Sequence, residues 1–409
     1  MAEATVNAPD LFGPEFTQDP YPAYQWLREH SPVHRLALPQ GPPAWLVTRQ
    51  TDVRALLVDQ RLAKDLHRFL PEVALPSEDL RNLLTQHMLA VDPPAHTRLR
   101  QLVAREFTAR RVEGVRDRVG QIADGLLDGM GAAGQADLVQ AFAVPLPLTV
   151  ICEMLGVPMA DMSAFHEWSR IASDGQSLGG PEFEASTRVL QDYVIELIAA
   201  KRGAPGPDLL SDLIAVRDGG DRLTDDELVA MVFLLLLGGH ETVVSLISSA
   251  AFHLLTHPEQ LAQLRAEPGR IVEATEEFLR YDTPAITTSM RFAAEEIEVG
   301  DVRIPAGDVV FLALGSANRD PGARTEDPER FDICRKDTQH LAFGAGVHSC
   351  LGSALARLEC QVAITALLAR FSRLELAAAP EEIAWRPGLH FRGPVALPVS
   401  YAVDAGATT

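Results

Sequence analysis

The chain of 409 residues can bury a large core, and its 47% hydrophobic and 22% charged residues exclude a disordered or fibrous protein. A formal charge of -20 argues against nucleic acid as a partner, since simple phosphate attraction needs the opposite sign. The four cysteines, at 152, 334, 350 and 360, are too few and too scattered for a disulfide framework.

In chain order, the opening MAEATVNAPD has neither a basic n-region nor an apolar h-region, so no secretory signal is expected. Residues 1–20 and 403–409 are expected to be loose ends of a single domain, 1–409. AWLVTR (44–49) reads as a strand. Between Arg98 and Arg118 seven arginines (98, 100, 105, 110, 111, 116, 118) face Glu106, Glu113 and Asp117, a local net of 7 - 3 = +4. Such a run suits either a solvated helix face or a docking patch for an acidic protein. KRGAPGPD (201–208) reads as a loop between two helices. Thr224 with Glu227 three residues on forms a capping box that opens a long apolar helix expected over 225–256. Its uninterrupted apolar run, Leu228 to Leu237, falls short of the roughly 20 residues that span a bilayer, so no membrane segment and a cytoplasmic location are expected.

HPEQLAQLRAEPGRIVEATEEFLRYDTP gives a short helix, a Pro-Gly break and a second helix ending before Pro284. IEVGDVRIPAGDVVFLAL (297–314) reads as strands parted by Gly300-Asp301 and Ala306-Gly307 turns. SCLGSALARLECQVAITALLARF is a long helix, and LHFRGPVALPVSY (389–401) is extended. The fold class is mainly α with small β-sheets.

Two places carry chemistry. In LLLLGGHETVVS (234–245), two glycines and three polar residues interrupt a buried helix, where an unpartnered polar group costs about 1–3 kcal/mol. In HLAFGAGVHSCLGSALARLE, a Gly-rich loop runs into a helix, so that a Cys350 thiolate would face the first-turn N–H groups, with its pKa lowered. Taken alone, Cys350 is either a metal ligand or a buried structural cysteine. Spacing argues against zinc at His340, His348, Cys350 and Cys360, because the paired ligands are missing. HETVV has Val244 where a zincin helix needs a second His, and the Gly344, Gly346, Gly352 spacing is wrong for a dinucleotide loop. Glu277 and Arg280 share one helix face.

Together these motifs resemble the cytochrome P-450 superfamily of haem-thiolate monooxygenases over essentially the whole chain. FGAGVHSCLG matches the family's Cys loop at Phe343, Gly346, Cys350 and Gly352, EFLR matches Glu-x-x-Arg at Glu277 and Arg280, and PERFD is similar to the segment whose arginine, here Arg330, completes a charged triad. DPPAHTRLR resembles the propionate-binding helix, and GGHET the oxygen-activation motif, which more usually begins with Ala rather than Gly238. The look is that of actinobacterial members that tailor polyketides.

The resemblance implies haem b lying between the 225–256 helix and the Cys loop and helix at 343–368. Cys350 would be the axial ligand, with Phe343, Gly344 and Gly352 around it and His96, Arg100, Arg291 and His348 on the propionates. Glu277, Arg280 and Arg330 would form a structural network. Gly238 and Gly239 would make room above the iron, Glu241 and Thr242 would carry protons, and His240 would be structural. Pocket walls would come from Met88, Leu89, Phe233, Leu237, Ala285, Ile286, Thr287, Leu389, His390 and Phe391, which are mostly apolar. The implied partners are O2, an apolar substrate, and a ferredoxin with its NAD(P)H-dependent reductase docking near Arg98–Arg118 on a monomer. The alternatives are the same reaction on a steroid, terpenoid or fatty acid, a peroxide-using enzyme, and a haem protein that binds ligands without turnover.

Overall fold

A computed structural model describes residues 8–38, 44–69, 77–162, 181–218, 223–322 and 326–403. Helices dominate it. The apolar stripe of the helix Ser353–Arg370 (Leu355, Leu358, Ala363, Ile364, Leu367) packs on Val244, Ile247 and Ala251 of the helix Glu241–Thr256 and on Ala274 and Phe278 of Ile271–Tyr281. Burying one such aliphatic side chain contributes about 1.5–3 kcal/mol. A second apolar cluster joins Leu80, Leu99, Ile151, Leu190 and Leu210 to Leu228, Met231, Phe233 and Leu236 of the helix Asp225–Gly238.

The larger sheet orders Val33–Leu36, Ala44–Val47, Val309–Leu312, Arg291–Ala293 and Leu62–Ala63. Its register sets Arg291 opposite Val310. Pro398–Ala402 lies between Ala133–Asp137 and Arg373–Leu376, and Ile297–Val299 pairs with Val302–Ile304. The expected strands at 44–49 and 297–314 therefore form, as does the loop after the helix Pro181–Gly203.

Two expectations change. The helix over 225–256 is broken: the capping box at Thr224 forms, but the first segment ends at Gly238 and the second starts at Glu241. Side chains compete for the backbone at the break. His240 Nδ1 lies 2.9 Å from the Leu236 carbonyl and Thr242 Oγ1 donates to the Gly238 carbonyl at 3.4 Å, while regular bonding resumes from Val244 N to His240 O at 2.8 Å. Asp225–Thr256 is long and apolar enough to cross a bilayer, yet it is mostly buried within the fold. At the other end of the chain, residues 8–20 are not loose. Leu11 and Phe16 are buried, the latter on a short helix, Pro14–Gln18. Residues 1–7 and 404–409 lie outside the described residues.

Candidate active site

The loop before the helix Ser353–Arg370 is built on left-handed glycines. Gly344 and Gly346 have φ of 65° and 75°, and a Cβ on Gly346 would sit 3.0 Å from the Leu57 carbonyl oxygen. Cys350 N donates to the Phe343 carbonyl at 2.9 Å, and Gly352 is the N-cap. Arg357, one helical turn on, lies 4.5 Å over the Phe343 ring and holds Glu276 through bonds of 2.6 and 2.9 Å. Desolvation around its sulfur pushes the Cys350 thiol up, against the expected lowering, although the residue as a whole is exposed. The Gly352 N–H, Arg100 and Arg357 pull the other way without overcoming it.

Basic groups gather beside this loop. The rings of His96 and His348 are 4.3 Å apart, Arg100 follows His96 by one turn on the helix Ala95–Ala104, and Arg291 is buried at the end of its strand. Burial lowers His96 to about 4, helped by His348 and Arg100, and burial lowers Arg291 to about 10. Both nitrogens of His96, Nε of Arg291 and Nε2 of His348 are buried without a hydrogen-bond partner. The nearby carboxylate is Asp92, 3.8 Å from His348 Nε2, but it already accepts from the backbone N–H groups of Lys64 and Asp65. A fifth basic group was missed by the sequence reading: Lys64 is buried, bonds Ser289, and is pushed down by burial and by Arg291. So many desolvated donors around one occupied carboxylate suit a dianionic ligand.

Glu277 and Arg280 are fully buried and bonded at 2.7 and 2.8 Å, with Arg280 also donating to the carbonyls of Asn318 and Pro328. Arg330 is not the third side chain of this network. It points outward to Asp332 at 2.6 Å, is 64% exposed, and offers Arg280 its carbonyl alone. The third side chain is Arg335, 7% exposed and 3.2 Å from Glu277. The signal for it was the alternation in RFDICR: Phe331 and Ile333 are buried, and two residues further on Arg335 turns the same way.

At the helix break, Leu234, Leu237, Gly238 and Thr242 form the accessible stripe, at i, i+3, i+4 and i+8. Phe233, expected in the pocket wall, is instead buried in the second core cluster, covered by the helices that pack there. Leu234, Leu237 and Leu351, next to Cys350, border that same cluster. A Cβ added to Gly238 meets nothing within 4 Å, in keeping with the room expected there. At Gly239 it would meet the Leu235 carbonyl at 2.6 Å and Ile151 at 2.8 Å, so this glycine serves helix packing against Pro145–Leu155 rather than space for oxygen. Glu241 is buried, its Oε2 bonded to Arg386 at 2.6 Å and its Oε1 3.2 Å from His240 Nε2.

The expected wall segments 285–287 and 389–391 do meet. Ala285 bridges Phe391, Ile286 N donates to His390 O at 2.9 Å, and Thr287 Oγ1 donates to Leu389 O at 2.7 Å. Ile286 itself is buried against Gly315, so its side chain belongs to the core. Met88 is buried and Leu89 half-buried in the segment before the Ala95–Ala104 helix.

The arginine run forms a groove of about 1080 Å³ lined by Arg105, Arg110, Arg111 and Arg118 and reaching Leu355 of the Cys350 helix. It is less positive than the local count, because acids from elsewhere in the chain come in. Arg118 pairs with Glu153 at 2.6 Å, Arg105 approaches Asp212 at 3.9 Å, and Arg98 binds Glu227.

A cysteine presented by a Gly-rich loop at a helix start, beside a run of desolvated basic groups, is the arrangement of a haem-thiolate protein. The cytochrome P450 family profile matches residues 189–384. Over 404 residues the chain is 47% identical to cytochrome P450 107B1 of Saccharopolyspora erythraea, covering 97% of this chain and 98% of that protein. It is 44% identical to 6-deoxyerythronolide B hydroxylase of the same organism, covering 96% and 99%. The Bacillus subtilis bacillaene polyketide synthase cytochrome P450 PksS superposes with a TM-score of 0.89 at 39% identity, covering 96% of this chain and 100% of that one. The chain belongs to the cytochrome P450 family, and it is a haem b monooxygenase.

Proposed function

We propose that this enzyme hydroxylates or epoxidises an apolar, polyketide- or macrolide-type secondary metabolite, with electrons from a ferredoxin served by an NAD(P)H-dependent reductase. The observation that carries the reading is the accessible stripe Leu234, Leu237, Gly238, Thr242, an oily face ending in a single hydroxyl. The hydroxylase and the polyketide P450 among its relatives support the substrate class. It is proposed to act as a cytoplasmic monomer.

Haem b, when bound, supplies the iron at which dioxygen is activated. Cys350 would ligate it, with the Gly352 N–H donating to the sulfur and tempering its charge. His96, Arg100, Arg291 and His348 would hold the propionates, and their unpartnered nitrogens fit that task. Thr242 would position a proton at its Oγ1 with Glu241 behind it. Phe391, Leu389 and Ala285 would exclude water from the apolar side.

The groove at Arg105 and Arg111 is proposed to receive the ferredoxin, because Leu355 at its floor lies on the Cys350 helix. Charge reversal of both arginines should slow ferredoxin-supported turnover and spare turnover driven by peroxide. Compound classes are screened for the blue shift of the Soret band on displacing iron-bound water, followed by product analysis with ferredoxin and NAD(P)H. A macrolide that neither shifts the band nor is oxidised, beside a steroid or fatty acid that does both, would overturn the substrate assignment.

A further inference from the structure

The function proposed above leaves His240 without a task. Its ring is fully buried, and Nδ1 lies 2.9 Å from the Leu236 carbonyl oxygen. A carbonyl only accepts, so Nδ1 carries a proton. The other nitrogen, Nε2, lies 3.2 Å from Glu241 Oε1. Were the ring neutral and Glu241 ionised, a nitrogen lone pair would lie against a buried carboxylate oxygen that has no hydrogen-bond partner, at a distance that admits no water between them. The contact is attractive only when a proton lies there, on the imidazole or on the carboxyl.

We propose that His240 and Glu241 hold one shared proton beside Thr242, and that His240 is the positioning residue that keeps it available. This rests on the reading of Glu241 and Thr242 as proton carriers. Arg386 fixes the pair from outside its helix, with Oε2 at 2.6 Å. Arg386 N donates to the carbonyl of Gly393, and Gly393 in turn is pressed onto the Glu241–Thr256 helix, where a Cβ would meet Ser245 at 2.7 Å. Ser245 and Ser248, on the following turns, carry no charge. Burial pushes Glu241 up, but His240 and then Arg386 overcome it and bring the carboxyl down to about 2, so at rest the carboxyl of the pair is ionised. In the relay the Nε2–H bond breaks as Oε1–H forms, leaving a neutral ring and a carboxyl still held by Arg386. The carboxyl then gives its proton to the Thr242 hydroxyl oxygen as that hydroxyl passes its own to the reduced oxygen substrate, and one solvent proton restores the pair.

The test uses the holoenzyme. In the diamagnetic reduced CO complex of the wild type, nitrogen-15 and carbon-13 resonances of His240 and Glu241 read where the proton is. A proton on either partner at neutral pH supports the proposal, whereas a singly protonated ring facing an ionised carboxylate overturns it. His240→Asn keeps an amide near the Nδ1 position for the Leu236 carbonyl but offers no acid proton. It should lower product formed per NAD(P)H by about tenfold and flatten the pH dependence of coupling, with the thiolate-type CO band intact. Coupling and pH profile equal to the wild type would make His240 a merely structural bond to Leu236. A lost CO band in the wild type would instead indict the haem-thiolate reading, which keeps the two failures apart.

Discussion

Arg335 lies 3.2 Å from Glu277 in a buried ion pair, while Arg330, in the motif that nominates it, faces solvent beside Asp332. Glu277 also accepts from Arg280 and from the Asp332 N–H, so its carboxylate is the hub of the network. Removing Arg335 strands part of that buried charge and also removes one bond from each of the carbonyls of Asp327 and Arg330. Arg335→Ala should cost about 3–5 kcal/mol, whereas Arg330→Ala should stay within about 0.5 kcal/mol. Chemical denaturation of the two variants decides it, and a larger loss from Arg330→Ala would reverse the assignment.

Thr242 Oγ1 is held towards the Gly238 carbonyl by a long bond of 3.4 Å, weak enough to exchange for another acceptor. Thr242→Ala should therefore leave fold and haem content unchanged while reducing equivalents run off as hydrogen peroxide. Peroxide assay against NAD(P)H consumption measures this, and fully coupled turnover would remove Thr242 from proton delivery.

The features legible in the sequence were local ones. Thr224 and Glu227 close their capping box within one turn, and the Cys350 loop needs only its own glycines and the helix after it. The sequence left open which way a side chain turns. Leu228–Leu237 is apolar at every position, so it carries no periodicity from which to choose between Phe233 and Leu234. That choice is made by the partner helices, which cover Phe233. Arg330 and Arg335 sit in one loop, and only packing of Phe331 and Ile333 turns the second inward. Lys64 and Arg386 lie far in sequence from Arg291 and Glu241, and no local pattern reveals that long-range pairing.

The face of the Asp225–Gly238 helix gives a paired prediction. Phe233→Ala should destabilise the fold by about 3–5 kcal/mol, since it empties a packed core position. Leu234→Ala, on the accessible stripe, should leave the unfolding midpoint nearly unchanged and shift substrate affinity instead. Denaturation curves and spectral substrate titrations of both variants are the check. Equal destabilisation would mean that the two side chains share one core face.

Glu359 lies on the Cys350 helix, fully buried, with neither carboxyl oxygen bonded. Burial alone raises it from 4.5 to about 8. Below about pH 4.5 both the folded and unfolded chains hold this proton, so its ionisation costs nothing there. Above that, the unfolded chain releases the proton while the folded one keeps it until about pH 8, so stability falls across that window. Glu359→Met removes the titration and keeps the volume. The variant should gain over the wild type by a constant offset near pH 4.5 and by roughly 3 kcal/mol more at pH 7, at about 1.4 kcal/mol for each pH unit. Urea unfolding of the two holoproteins at pH 5 and pH 8 reads the difference. Parallel stability curves would mean that Glu359 is ionised and partnered in the folded protein.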